Sequence, residues 1–70
     1  MDVENRFDKS VRMLREIKKD NAIVTLEVLK TRCAREYGII DASAIRRIVN
    51  SLVSLGMIKY LPNGEIEILV

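Results

Sequence analysis

Residues 43–59 read SAIRRIVNSLVSLGMIK. Within this stretch Ile45, Ile48, Val49 and Leu52 recur at spacings of three and four, which is one face of a helix. Ser43, Arg46, Arg47, Asn50 and Ser54 fall on the other side, and at 100° per residue they lie within about 100° of one another. That polar stripe contains two arginines and no acid. Asp41 stands where an N-cap is needed, and Gly56 supplies a left-handed stop. The predicted helix therefore runs from about Ala42 to Leu55, and Met57-Ile58 opens an apolar strand.

C-terminal to this helix, Met57–Leu61 and Glu65–Val70 flank Pro62-Asn63-Gly64, a hairpin pattern. A two-residue Asn63-Gly64 loop pairs Leu61 with Ile66 and Lys59 with Ile68, mixing polar and apolar residues on each face. A three-residue loop places Pro62 first in a type I turn and Gly64 in the left-handed bulge position. It pairs Tyr60 with Ile66, Ile58 with Ile68 and Lys59 with Glu67. A buried face fixes register, so the three-residue loop is preferred.

On the N-terminal side, Leu26, Leu29, Cys33 and Tyr37 mark the inner stripe of a helix from about Leu26 to Tyr37. Thr25 serves as its N-cap and Gly38 as its stop. Before it, Ala22-Ile23-Val24 suits a three-residue strand. The first helix is expected from about Asn5 to Lys19, capped by Asn5 or Asp2, with Phe7, Val11, Leu14 and Ile17 as its apolar face.

Helix, short strand, helix, tight turn, helix, hairpin is an α+β order. It resembles the winged helix-turn-helix superfamily over nearly the whole chain, residues 1–70, read as a single domain. The most telling residues are Ser43 to Lys59, with Leu52, Leu55, Gly56, Met57 and Ile58 closing the third helix into the wing. PNGEIEILV resembles the wing tip and its return strand. Within the superfamily the chain is similar to small archaeal-type transcription regulators. It is also similar to a winged-helix protein of the archaeal and eukaryotic small ribosomal subunit, from which it departs by lacking a Lys-rich tail and by a longer second helix.

Composition sets the outer bounds. Seventy residues hold one core. His is absent and Cys33 is the sole cysteine, so one chain offers no four-ligand zinc site, no internal disulfide and no histidine base. No catalytic constellation or Gly-rich phosphate loop is present. An enzyme is the least favoured reading, and no cofactor or metal is expected. Apolar residues at 49% and charged residues at 31% fit a folded globular chain. No apolar run approaches a membrane span of about 18 residues. The acidic start, Met1-Asp2-Val3-Glu4, does not read as a signal peptide, and a lone thiol agrees with the cytoplasm.

The resemblance implies duplex DNA as partner, read in the major groove by the third helix, and hence transcription regulation. Arg46 and Arg47 can contact guanine or phosphate, and Asn50 can pair with adenine. Ser43 near the helix start can reach phosphate, and Ser54 completes the stripe. In this fold the second helix lies across the DNA backbone near its N-terminus, which makes Thr25 and Lys30 phosphate candidates. Small regulators commonly dimerise to read half-sites about 34 Å apart, so a homodimer through the first helix or terminal strand is a candidate assembly. Arg12, Arg15, Lys18 and Lys19 read as a salt-laced solvated face, with Glu16 and Asp20 among them. Cys33 reads as a buried small hydrophobe. Tyr37 and Tyr60 read as core-edge aromatics with hydroxyls near water. The wing, with Lys59 against Glu65 and Glu67, is expected to pack rather than grip DNA. Two further readings stay open: a protein-interaction module using the hairpin and first helix, and an RNA- or ribosome-associated protein.

Overall fold

The computed structural model describes residues 5–70. The elements, in chain order, are α1 (Arg6–Asp20), β1 (Ile23–Val24), α2 (Leu26–Tyr37), α3 (Ala42–Ser54), β2 (Ile58–Tyr60) and β3 (Ile66–Ile68). This is the winged-helix topology. The three strands form one antiparallel sheet in the order β1-β3-β2. Strand β3 is thus central. It pairs Ile23 with Glu67 and Val24 with Ile66 on one side. On the other it pairs Ile58 with Ile68, Lys59 with Glu67 and Tyr60 with Ile66.

That second register is the one required by a three-residue loop. Gly64 N–H donates to the Leu61 carbonyl at 3.0 Å, and Leu61 N–H donates to the Glu65 carbonyl at 2.8 Å. Gly64 has φ of 86°, a left-handed value that glycine reaches without steric cost. Asn63 Oδ1 accepts from Glu65 N–H at 3.0 Å and locks the turn. The strands are shorter than the apolar runs that contain them, because pairing ends at Tyr60 and Ile68.

Each helix begins on a side chain that accepts an otherwise orphaned N–H. Asn5 caps α1 through Asp8 N–H at 2.8 Å. Thr25 caps α2 through Val28 N–H at 3.2 Å. Asp41 caps α3 through Ser43 N–H at 3.2 Å. The alternative cap Asp2 lies outside the described residues. At the far end of α3, Gly56 N–H donates to Val53 and Met57 N–H to Leu52, both at 3.0 Å. This paired closure ends α3 at Ser54 and makes Leu55 its cap, one residue earlier than expected.

Gly38 closes α2 with φ of 65°. No atom lies within 4 Å of where its Cβ would stand. Substitution therefore costs only the backbone penalty of a left-handed residue, about 1 kcal/mol. In a domain this small that shifts the melting midpoint by roughly 4–8 °C. Gly38→Ala is expected to melt that much lower by circular dichroism, with unchanged secondary structure.

The core joins one face of every helix to the inner face of the sheet. Met13, Leu14, Leu29, Cys33, Leu52, Ile58 and Ile66 are its most completely buried side chains, together with Val49. The α3 face is as expected: Ile45, Ile48, Val49 and Leu52 are buried, and Ser43, Arg46, Arg47, Asn50 and Ser54 are exposed. On α2, Leu29 and Cys33 are buried, whereas Leu26 and Tyr37 are half-buried at its ends.

Helix α1 requires a correction. Its buried residues are Ser10, Met13, Leu14 and Ile17, while Phe7 is 53% exposed. The inward face is rotated by roughly 50° from the Phe7-Val11-Leu14-Ile17 stripe, at 100° per residue. The core meets α1 along its Met13 side, where β3 packs, and Phe7 projects past it. The helix spans Arg6–Asp20 rather than Asn5–Lys19, and Ala22 lies outside β1, although its carbonyl accepts from Ile68 N–H at 2.8 Å. Tyr37 is half-buried at the core edge, and its hydroxyl meets Ser10 Oγ. Ser10 Oγ in turn donates to the Arg6 carbonyl at 2.9 Å.

Candidate nucleic-acid interface

The cations divide into those held by carboxylates and those left without one. Arg12 contacts Glu36 and pairs with Glu16 at 3.4 Å. Arg32 reaches the same Glu16 at 3.2 Å, so α1 and α2 share an ion-pair cluster. Lys18 Nζ donates to the Val70 carbonyl at 3.1 Å. In the wing, Lys59 pairs with Glu67 at 3.3 Å. Such exposed pairs add at most about 1 kcal/mol each. Their importance here is that they neutralise the cations involved. Asp20, which has the spacing to pair within α1, forms no ion pair among the described residues.

Among the described residues Arg6, Lys9, Arg15, Lys19, Lys30 and Arg35 also lack a carboxylate partner, and what sets Arg46 and Arg47 apart is that their own helix holds no acid. Both are exposed on α3, and among the described residues neither guanidinium has a carboxylate partner. The reason is local. The α3 sequence contains no acid, so no carboxylate stands one turn away to close an ion pair. Asn50, Ser43 and Ser54 are exposed beside them, and among the described residues no side-chain hydrogen bond occupies any of the three. Ser51, just off the stripe, is occupied: its Oγ donates to the Arg47 carbonyl at 2.8 Å. The stripe thus presents two planar cations and an amide with hydrogen-bonding capacity, in front of a buried apolar back face.

Thr25 caps and Lys30 lies within α2, which packs against α3. Thr25 is exposed at the N-terminus of α2, with its oxygen committed to the cap. Its hydroxyl hydrogen stays available to an acceptor. Lys30 is half-buried and has no carboxylate partner among the described residues. The wing carries a net charge of −1 over residues 57–70. Its lysine is paired and Glu65 Oε1 accepts from Asn63 Nδ2 at 2.6 Å. A phosphate would meet no unpaired cation there.

Sequence reasoning missed one feature. Phe7 and Leu55, both exposed, border a groove between the start of α1 and one flank of α3, with Arg6 and Arg47 beside them. Residues some 40 positions apart form it, so no local spacing announces it.

Cys33 is fully buried on α2. Burial disfavours the thiolate and pushes the thiol from 9.0 up to about 11. The folded chain therefore holds this proton more tightly than the unfolded chain. The resulting contribution to stability is complete below about pH 9 and is lost as pH rises to about 11. At pH 8, iodoacetamide is expected to label Cys33 only after denaturation, as followed by mass spectrometry. Rapid labelling of the folded chain would contradict the burial.

No helix among the described residues is long and apolar enough to cross a membrane. Compared with protein-family models, curated proteins and solved structures, the chain matches none.

Proposed function

We propose that the chain is a duplex DNA-binding protein that reads the major groove with α3 and acts in transcription regulation. The observation that carries this reading is the acid-free, exposed stripe of α3, where Arg46 and Arg47 have no carboxylate partner among the described residues. Arg46, Arg47 and Asn50 are the base-reading candidates, and Ser43, Ser54, Thr25 and Lys30 position the backbone through phosphate. The wing contributes packing and little affinity. No group-transfer or hydrolytic chemistry is assigned, and the cytoplasm is the proposed compartment.

One copy offers a footprint of roughly 600–1,000 Å². A homodimer on two half-sites would double it. Titration into a fluorescent mixed-sequence duplex at low and moderate salt tests the reading. The expected log–log salt slope is about −0.9 per neutralised phosphate. No binding at low salt would refute it. A preference for structured RNA at equal salt would transfer the stripe to an RNA partner.

A further inference from the structure

We propose that the groove between the first turns of α1 and the flank of α3 binds a small organic anion with an apolar body, an aromatic or medium-chain monocarboxylate. The groove encloses about 370 Å³, within the range of roughly 300–1,000 Å³ typical of small-molecule sites. Phe7, Ile39, Ile48, Leu52 and Leu55 supply its apolar walls. Phe7 and Leu55 are 53% and 59% exposed, so the described chain leaves these walls uncovered.

Charge selects the occupant. Arg6 and Arg47 line the groove, and no carboxylate does so among the described residues. The other polar groups are already engaged. Ser10 Oγ donates to the Arg6 carbonyl at 2.9 Å, and Ser51 Oγ donates to the Arg47 carbonyl at 2.8 Å. The two guanidiniums are therefore the side-chain donors left for a ligand, and both are cationic. An apolar wall with two guanidiniums that have no carboxylate partner among the described residues matches a carboxylate attached to a hydrophobic body. A second copy of the chain seated symmetrically on this face would bring both arginine pairs together with no acid among the described lining residues to offset them.

Arg47 stands on the edge shared by the groove and the polar stripe of α3. A ligand carboxylate that holds Arg47 withdraws it from phosphate or base. This competition, unlike the site itself, rests on the DNA reading.

The test uses 2-naphthoate and its neutral analogue 2-naphthamide, titrated into the ¹⁵N-labelled full chain. Saturable amide shifts are expected around Phe7, Ser10, Ile48, Ser51 and Leu55. Naphthoate should bind about tenfold more tightly than the amide, as two exposed ion pairs allow. The Arg6→Gln/Arg47→Gln variant should erase that preference and still bind the amide. Ala44→Phe, which fills the groove, should abolish binding of both; circular dichroism confirms folding of each variant. Equal affinity for the two probes overturns the proposal, as do shifts centred outside the groove. Concentration-dependent shifts of the same amides without a probe place a second copy there and also overturn it. Failure of both probes at millimolar concentration overturns it and leaves this face to a macromolecular partner. Duplex affinity measured with saturating naphthoate should fall about tenfold. Unchanged affinity refutes the competition, whereas no duplex binding by the unliganded chain refutes the DNA reading and leaves the ligand site standing.

Discussion

Replacing Arg46 and Arg47 together by alanine is expected to weaken duplex binding by about a hundredfold or more, with the fold intact. Each good guanidinium contact to guanine is worth about 1–3 kcal/mol, so two account for a loss of that size. The folded chain loses little in exchange. Both side chains are exposed, and neither ion-pairs with a described residue. Surface changes of this kind stay within roughly 0.5 kcal/mol, and alanine is the better helix former. Where an arginine contacts phosphate, its loss also reduces the salt slope by about 0.9. Fluorescence anisotropy and circular dichroism on the same samples separate the effects. A folded double variant that retains wild-type affinity would show that α3 does not read DNA through this stripe.

The largest effect on stability is expected at Ile66. It is fully buried on β3, the central strand, between Val24 of β1 and Tyr60 of β2. Helix α1 packs on the same strand. Ile66→Ala removes apolar contacts and leaves a cavity where sheet and helix meet, a change that costs about 2–5 kcal/mol. A domain of this size has only a few kcal/mol of net stability. The variant should melt at least about 10 °C lower, or be unfolded at 25 °C. A cooperative melt within a few degrees of the wild type would mean that the sheet is not central to the core.

The most legible elements carry their own boundaries. Asp41 and Gly56 bracket α3, and the split of apolar and polar positions between them fixes its inner face without reference to any other element. The hairpin register follows from parity, because only the three-residue loop keeps Ile58, Ile66 and Ile68 on one side. The candidate stripe was legible for the same reason, since every α3 residue in it lies on one helix. Which of the cations stay unpaired was not legible. Glu16 serves Arg12 along one helix and Arg32 across to another, and Glu36 reaches Arg12 from α2.

Helix α1 shows where local pattern stops deciding. Phe7, Val11, Met13, Leu14 and Ile17 spread around too much of its circumference to define one stripe. The choice among them falls to whatever packs alongside, and here the Met13 side meets the core. The position of β3 between β1 and β2 is a similar case, because a two-residue strand such as β1 carries no signal naming its partner. By itself the sequence determined the Thr25 and Asp41 caps, the α3 faces and the hairpin register, all set by interactions between residues close in the chain. Tertiary structure alone decided the rotation of α1, the central strand, the ion-pair partners and the groove beside Phe7, because each depends on surfaces that meet only after distant segments pack.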